Sequence, residues 1–211
     1  MPSLLPQEKP TRVEPPPREA LVSRDQRSRL FAVVLRRRWP LALMLTGWLH
    51  LAAFGLCYFL TIEQDYHDST GYLLIWIAEL SGMAAIFRLT GGPRPANLAP
   101  DGLELFVRRV WIGYFVLAFN LGSLNTLRGH HYFEFFPAMA SLASFAFIVM
   151  TVLLDTRFFL AVLVHFAAGL LMAANLLHAY LIFALAWCIV LNGTALALWR
   201  QRRTPQPSET A

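Results

Sequence analysis

The chain has 211 residues, 56% of them hydrophobic and 15% charged, with a formal net charge of +5. Soluble domains sit near about 45–50% apolar and about 25% charged, so a water-soluble globule is excluded and a bilayer must serve as solvent for the apolar surface. The positive charge does not point to nucleic acid, because the arginines flank apolar runs, where membrane topology accounts for them.

In chain order, residues 1–20 are dense in proline, with Pro15-Pro16-Pro17, and show no apolar periodicity. That composition predicts a disordered tail. Residues 21–38 are Arg-rich. Leu30, Phe31, Val33 and Val34 give them a partial apolar face, as in a topology anchor or a short helix on an anionic membrane surface. The chain thus divides into a Pro-rich, basic tail at 1–35, a membrane domain at 36–203 and a polar tail at 204–211. The membrane domain opens on Arg36-Arg37-Arg38-Trp39-Pro40, a charge block set against an apolar run that reaches Ile62. Trp39 suits the interface, and Pro40 suits a first helical turn, where its missing N–H is no loss. The run lies some forty residues into the chain with no cleavage pattern after it, so it reads as a retained helix rather than a signal.

Five more spans follow. Span two is Gly71–Phe87, closed by Arg88 and the breaker Gly91-Gly92-Pro93. Asp101 and Glu104 resemble a capping box that starts a helix running through Arg108-Arg109 into span three, Val110–Leu127. Span four is Tyr132–Leu154, with Glu134 expected in its first turn and Pro137 early enough to be tolerated. Ala140 and Ser144 on it form a small-xxx-small pair suited to close packing within the bundle. Spans five and six are Phe158–Asn175 and Leu177–Trp199. The expected fold is all-α: one polytopic bundle of six transmembrane helices. Of the 18 Lys and Arg residues, all but Arg128 fall on one side of this arrangement. The positive-inside rule then puts both termini in the cytoplasm of a cell whose inner (plasma) membrane the chain crosses. Cys57 and Cys188 lie inside apolar runs without ligand spacing and read as small packing residues.

No Walker A motif, GxGxxG, GxSxG or HExxH occurs, and no soluble catalytic domain fits, so the chain reads as non-enzymatic. Any site lies within the membrane or on its outer face. Four polar residues fall deep in spans: His50, Glu79, Asn120 and His165. Such groups usually face the bundle interior and pair. At about 1.5 Å per residue, His50, Glu79 and His165 come to similar depths. His165 shares a helix face with Ala161, Gly169 and Ala173, which marks a close helix contact. Three readings stay open for this set: interhelical hydrogen bonding, a proton-responsive cluster, or two histidines ligating a haem. On the outer face, Glu63, Asp65, His67 and Asp68 share a loop, His130, His131 and Glu134 a second turn, and His178 a third. Imidazoles and carboxylates within reach of one another suit a divalent metal or acid sensing. Solvated loops are the simpler account.

With the spans placed, the chain resembles the multi-helix membrane region that follows the catalytic domain in some large bacterial serine/threonine protein kinases. The residues that carry the resemblance are Arg37-Arg38-Trp39-Pro40, the break from Arg88 to Gly92-Pro93, Val107-Arg108-Arg109-Val110-Trp111, Asp155-Thr156-Arg157-Phe158 and Arg200-Gln201-Arg202-Arg203. It covers about residues 36–203. No Gly-rich loop, HRD or DFG is present, so kinase activity is carried over to no residue. The resemblance implies a sensor or membrane anchor in signalling, with the bilayer and a cytoplasmic signalling protein or kinase as partners. The alternatives are a small proton- or ion-coupled transporter using Glu79 and the histidines, and a haem-binding membrane subunit.

The charge asymmetry makes the topology testable. A reporter fused after Gln201 is expected to read cytoplasmic and an insertion at Tyr66 external. An external reading at the C-terminus would mean an odd number of spans.

Overall fold

The computed structural model describes residues 38–63, 69–91, 102–128 and 134–203. These residues are all helical or in short turns. Six helices form in chain order: α1 (Trp39–Glu63), α2 (Ser69–Gly91), α3 (Gly102–Leu127), α4 (Phe136–Leu153), α5 (Phe159–Ala174) and α6 (Ala179–Arg203). Each is long and apolar enough to cross a membrane. One-turn 3-10 segments, Thr156–Phe158 and Leu176–His178, lead into α5 and α6.

The expected spans recur with shifted ends. α4 begins at Phe136, later than expected, with Pro137 in its first turn. Proline there costs no hydrogen bond, since first-turn N–H groups have no intrahelical acceptor. Glu134 therefore precedes the helix instead of sitting in its first turn. The α4–α5 corner is set by Asp155, whose Oδ1 accepts the backbone N–H of Arg157 at 2.8 Å. The carboxylate ties its own chain into a turn.

Spatial order differs from chain order. α1 packs most extensively on α6, and the two run antiparallel. Their contacts form a ladder: Tyr58 against His178, Phe54 against Tyr180 and Phe183, His50 against Phe183 and Trp187. Gly47 faces Leu191 and Asn192 at the same seam. The second seam joins α4 to α5. Ala140, Ser144 and Gly169 are all buried there, and a Cβ on Gly169 would lie 3.5 Å from that of Ala140. Ser144 Oγ donates to the carbonyls of Ala140 (3.0 Å) and Val162 across the seam (3.4 Å). The small-residue pair thus serves packing inside the bundle.

α2 and α3 are consecutive yet do not pack closely on each other. α2 rests on α1, and α3 rests on α4. Of their membrane windows 6% and 11% is buried, against 28–44% for the other four. Leu103 on α3 closes a small apolar cluster with Met150 and Leu154. The main core is aromatic, with Phe54, Phe136, Tyr180 and Phe183 grouped toward the end where α4 starts, and Phe147 and Trp187 near the middle. The free thiols Cys57 and Cys188 are buried, as packing residues should be.

Gly47 is the tightest point of the α1–α6 seam. A Cβ there would come 2.7 Å from Asn192 Nδ2 and 3.3 Å from Leu191 Cβ. Gly47→Val is expected to cost about 1–3 kcal/mol by overpacking, and to break the bond from Asn192 Nδ2 to the Cys188 carbonyl (2.8 Å). Gly193→Ala, with nothing within 4 Å of its added carbon, should be neutral or gain up to about 1 kcal/mol in helix propensity. Thermal unfolding in detergent reads both, and equal melting temperatures for the two variants would contradict the seam.

Candidate functional site

α1 presents one face to the protein interior, carrying Thr46, Ala53, Phe54, Cys57 and Thr61 in buried positions. His50 belongs to this face, with 13% of its side chain exposed. α2 buries little else in its middle, but Glu79 is 5% exposed. The two meet: Nδ1 of His50 and Oε1 of Glu79 share a hydrogen bond across the α1–α2 seam. The backbones are brought close beside them by Gly82, whose missing Cβ makes room for the Leu49 side chain. Farther along, Thr61 Oγ1 bonds the Tyr72 hydroxyl at 3.0 Å. These polar contacts pin a helix that buries almost nothing else. In hydrocarbon a polar group without a protein partner costs several kcal/mol (about 2–7), so they also fix the rotation of α2 about its axis.

On its other side His50 packs on the core. Its ring lies 4.3 Å from that of Phe54, 5.7 Å from Phe183 and 6.0 Å from Trp187. Trp187 also meets Trp111 and Tyr114 of α3 (6.0 and 5.9 Å), Phe147 of α4 (5.9 Å) and His165 of α5 (4.7 Å, perpendicular). Through Trp187 and His50, therefore, all six helices are joined at one level.

His165 is fully buried at 0% exposure. Its Nδ1–H donates to the Ala161 carbonyl one turn back at 3.0 Å, which leaves a lone pair on Nε2. Neither that atom nor Nε2 of His50 has a hydrogen-bond partner among the described residues. Both imidazoles are thus held at Nδ1 with a buried Nε2 left over. Both rings pack on the indole of Trp187.

The fourth intramembrane candidate, Asn120, is exposed on α3 and does not join the others. Its helix turns Tyr114 and Ala118 inward, and Asn120 lies off that face. Of the outer-face set, Glu63 and His178 are exposed, with His178 stacked near Tyr58 (5.6 Å), and Glu134 is half-buried. Asp65, His67, Asp68, His130 and His131 lie outside the described residues. Among the described residues no three His, Cys, Asp or Glu side chains converge as a metal site would require. Trp187 had no place among the candidates. Its signal was its depth: tryptophan favours the membrane interface, whereas this one falls mid-span.

No family model, no curated protein and no solved structure matches the chain.

Glu79→Leu is expected to lower stability, and the size of the loss reads the character of the pair. An ordinary interhelical hydrogen bond is worth about 0.6 kcal/mol in a membrane bundle, whereas stripping one partner from a buried ion pair costs roughly 3–5 kcal/mol. A double-mutant cycle with His50→Leu, read by thermal unfolding in detergent, should show coupling. Strict additivity would mean that the two side chains do not interact.

Proposed function

We propose that the chain is a non-catalytic membrane module, a sensor or anchor that works with a separate partner, and that its responsive element is the buried His50–Glu79 pair. One observation carries the reading: the pair is the principal polar tie in mid-membrane between α1 and α2, the helix whose membrane window is the least buried of the six. A change in its proton count changes the charge buried there. With one proton shared between Nδ1 and Oε1 and another on Nε2, the pair is neutral. One proton more or fewer leaves a net charge in low dielectric, which the surroundings compensate poorly. The titratable groups within electrostatic reach are Cys57 of α1, Tyr114 of α3 and His165 of α5, and α6 faces the pair with Phe183 and Trp187. None of these carries a fixed positive charge. Relief then comes from moving α2, and with it Arg88 in its last turn. A cytoplasmic signalling protein is the inferred reader of that motion, on the strength of the resemblance to kinase membrane regions and of the predicted topology. On that topology both ends of the chain are cytoplasmic, on the reader's side of the inner membrane.

A second reading, proton-coupled transport, draws on the same pair, because an imidazole–carboxylate contact at mid-membrane is the kind of group that proton pathways use.

The two readings separate in a pair of measurements. Spin labels at the exposed positions Leu45 and Leu89, with Cys57 and Cys188 replaced by alanine, report the α1–α2 separation between pH 5 and 8. The sensor reading expects a distance that changes with pH in the parent protein and is fixed in Glu79→Gln. An identical profile in both ends the proton-switch account. Transport instead expects a pH gradient across proteoliposomes to decay faster with the parent protein than with Glu79→Gln.

A further inference from the structure

A second feature lies at the opposite end of α1 from Glu63. Arg38, Pro40 and Leu41, at the start of α1, and Trp199, near the end of α6, line a cleft of about 330 Å3. Three of the four lining residues are apolar and the fourth is an arginine. Leu41 and Trp199 are 40% and 46% exposed, so the cleft opens to the surroundings of the bundle. Arg38 is exposed, and no carboxylate pairs with it among the described residues.

The position of Arg38 is built in. Its φ of 52° lies in the left-handed region, which residues with a Cβ seldom occupy. Yet its carbonyl accepts the N–H groups of Leu41 (3.0 Å) and Ala42 (3.2 Å) and so starts α1. Strain of this kind persists where the surrounding structure over-determines it, and it clusters at sites that bind. The sequence adds Arg36 and Arg37 just before it, and Arg200, Arg202 and Arg203 just after Trp199.

We propose that this cleft binds an anionic phospholipid. The Arg38 guanidinium takes the headgroup phosphate, and Leu41 and Trp199 take the glycerol backbone and the first acyl carbons. The chemistry matches at each wall. A guanidinium offers a planar fork of donors that fits phosphate oxygens. Tryptophan is apolar on its faces and polar at its N–H, which suits the depth of the glycerol. The volume is at the lower end of ligand cavities, about 300–1,000 Å3, enough for a headgroup with its glycerol and too small for whole acyl chains, which stay in the bilayer. The cleft lies where the α1 and α6 membrane windows end, at Trp39 and Arg200, where a bilayer crossed by these windows would place its phosphates. The rival account is diffuse attraction between an arginine belt and an anionic surface, in which no single residue matters more than another.

Native mass spectrometry of the full chain in detergent, titrated with phosphatidylglycerol or phosphatidylcholine, separates the two. The parent protein is expected to retain one phosphatidylglycerol more tightly than phosphatidylcholine. Arg38→Gln should weaken phosphatidylglycerol about fivefold, the worth of one cation near an anionic surface, and leave phosphatidylcholine unchanged. Arg109→Gln, an exposed arginine on α3, should change neither. Arg38→Gly fits the left-handed backbone better than arginine, so it keeps the turn and should lose the lipid as Gln does. Arg38→Lys should keep most of the preference. Equal retention of phosphatidylglycerol by Arg38→Gln and the parent protein overturns the proposal, as do equal losses in the Arg38 and Arg109 variants. Competition by soluble glycerol phosphate at the same concentration as the lipid would assign the site to a free phosphate ester and overturn it likewise.

Discussion

A polar side chain in the middle of a bilayer must find its partner inside the protein, and in this bundle that demand is met chiefly at His50. The imidazole uses one nitrogen to hold Glu79 of α2 and one face to pack on Phe54, Phe183 and Trp187. Apolar packing gives little preference here, because lipid tails are as apolar as leucine. A helix such as α2, with its side chains turned mostly to lipid, would otherwise have no strongly preferred rotation or depth. The Glu79 contact supplies both. Remove it in thought and the remaining ties include Thr61 with Tyr72 and the Tyr72–Tyr180 stack (5.8 Å) near one end, Gly82 against Leu49, and the Trp39–Phe87 edge contact (5.8 Å) near the other.

Around this point the bundle is graded. The α1–α6 and α4–α5 seams are close because small residues let backbones approach: Gly47 against Asn192 and Leu191, Gly169 against Ala140. Close approach increases dispersion contact, the main attraction available between helices in lipid. The level of His50 is filled differently, by large rings. Trp187 reaches α1, α3, α4 and α5 because an indole is wide enough to span a bundle centre that Leu or Ala would leave open. A rigid pair of seams bridged by an aromatic centre leaves α2 and α3 as the outlying helices.

The six spans were legible because length and hydropathy alone decide them, and lipid imposes that constraint on any chain that crosses it. The close approach at His165 was legible in part: Ala161 and Gly169 mark its face and are buried, but Ala173, assigned to the same face, is exposed near the end of α5. Similar depths for His50 and Glu79 followed from counting rise along two helices joined by a short loop. Rotation about each axis was harder to read. A soluble helix advertises its buried face by hydrophobic contrast, whereas the membrane-spanning part of α3 carries large apolar residues on every side, and that pattern did not separate the inward Tyr114 from the outward Asn120. Trp187 was missed for a related reason: its contacts come from five helices, and no local pattern encodes them. The ends of α4 and α6 shifted by a few residues because a proline at 137 and a 3-10 turn at Leu176–His178 decide them locally.

The tautomers of the two histidines extend the argument from geometry to chemistry. His165 donates its Nδ1–H to a backbone carbonyl, so its Nε2 is an acceptor as long as the ring is neutral. The state of Nε2 on His50 depends on Glu79. If the pair is neutral, a proton sits between Nδ1 and Oε1, and the second ring nitrogen must carry the other hydrogen, making Nε2 a donor. If the pair loses a proton, Nδ1–H points at a carboxylate and Nε2 becomes a lone pair. The two buried Nε2 atoms are therefore complementary, one donor and one acceptor, in the neutral state, and are two like acceptors in the anionic one. Both rings rest on Trp187, so the two nitrogens border one aromatic centre, against which α3, α4 and α5 are packed.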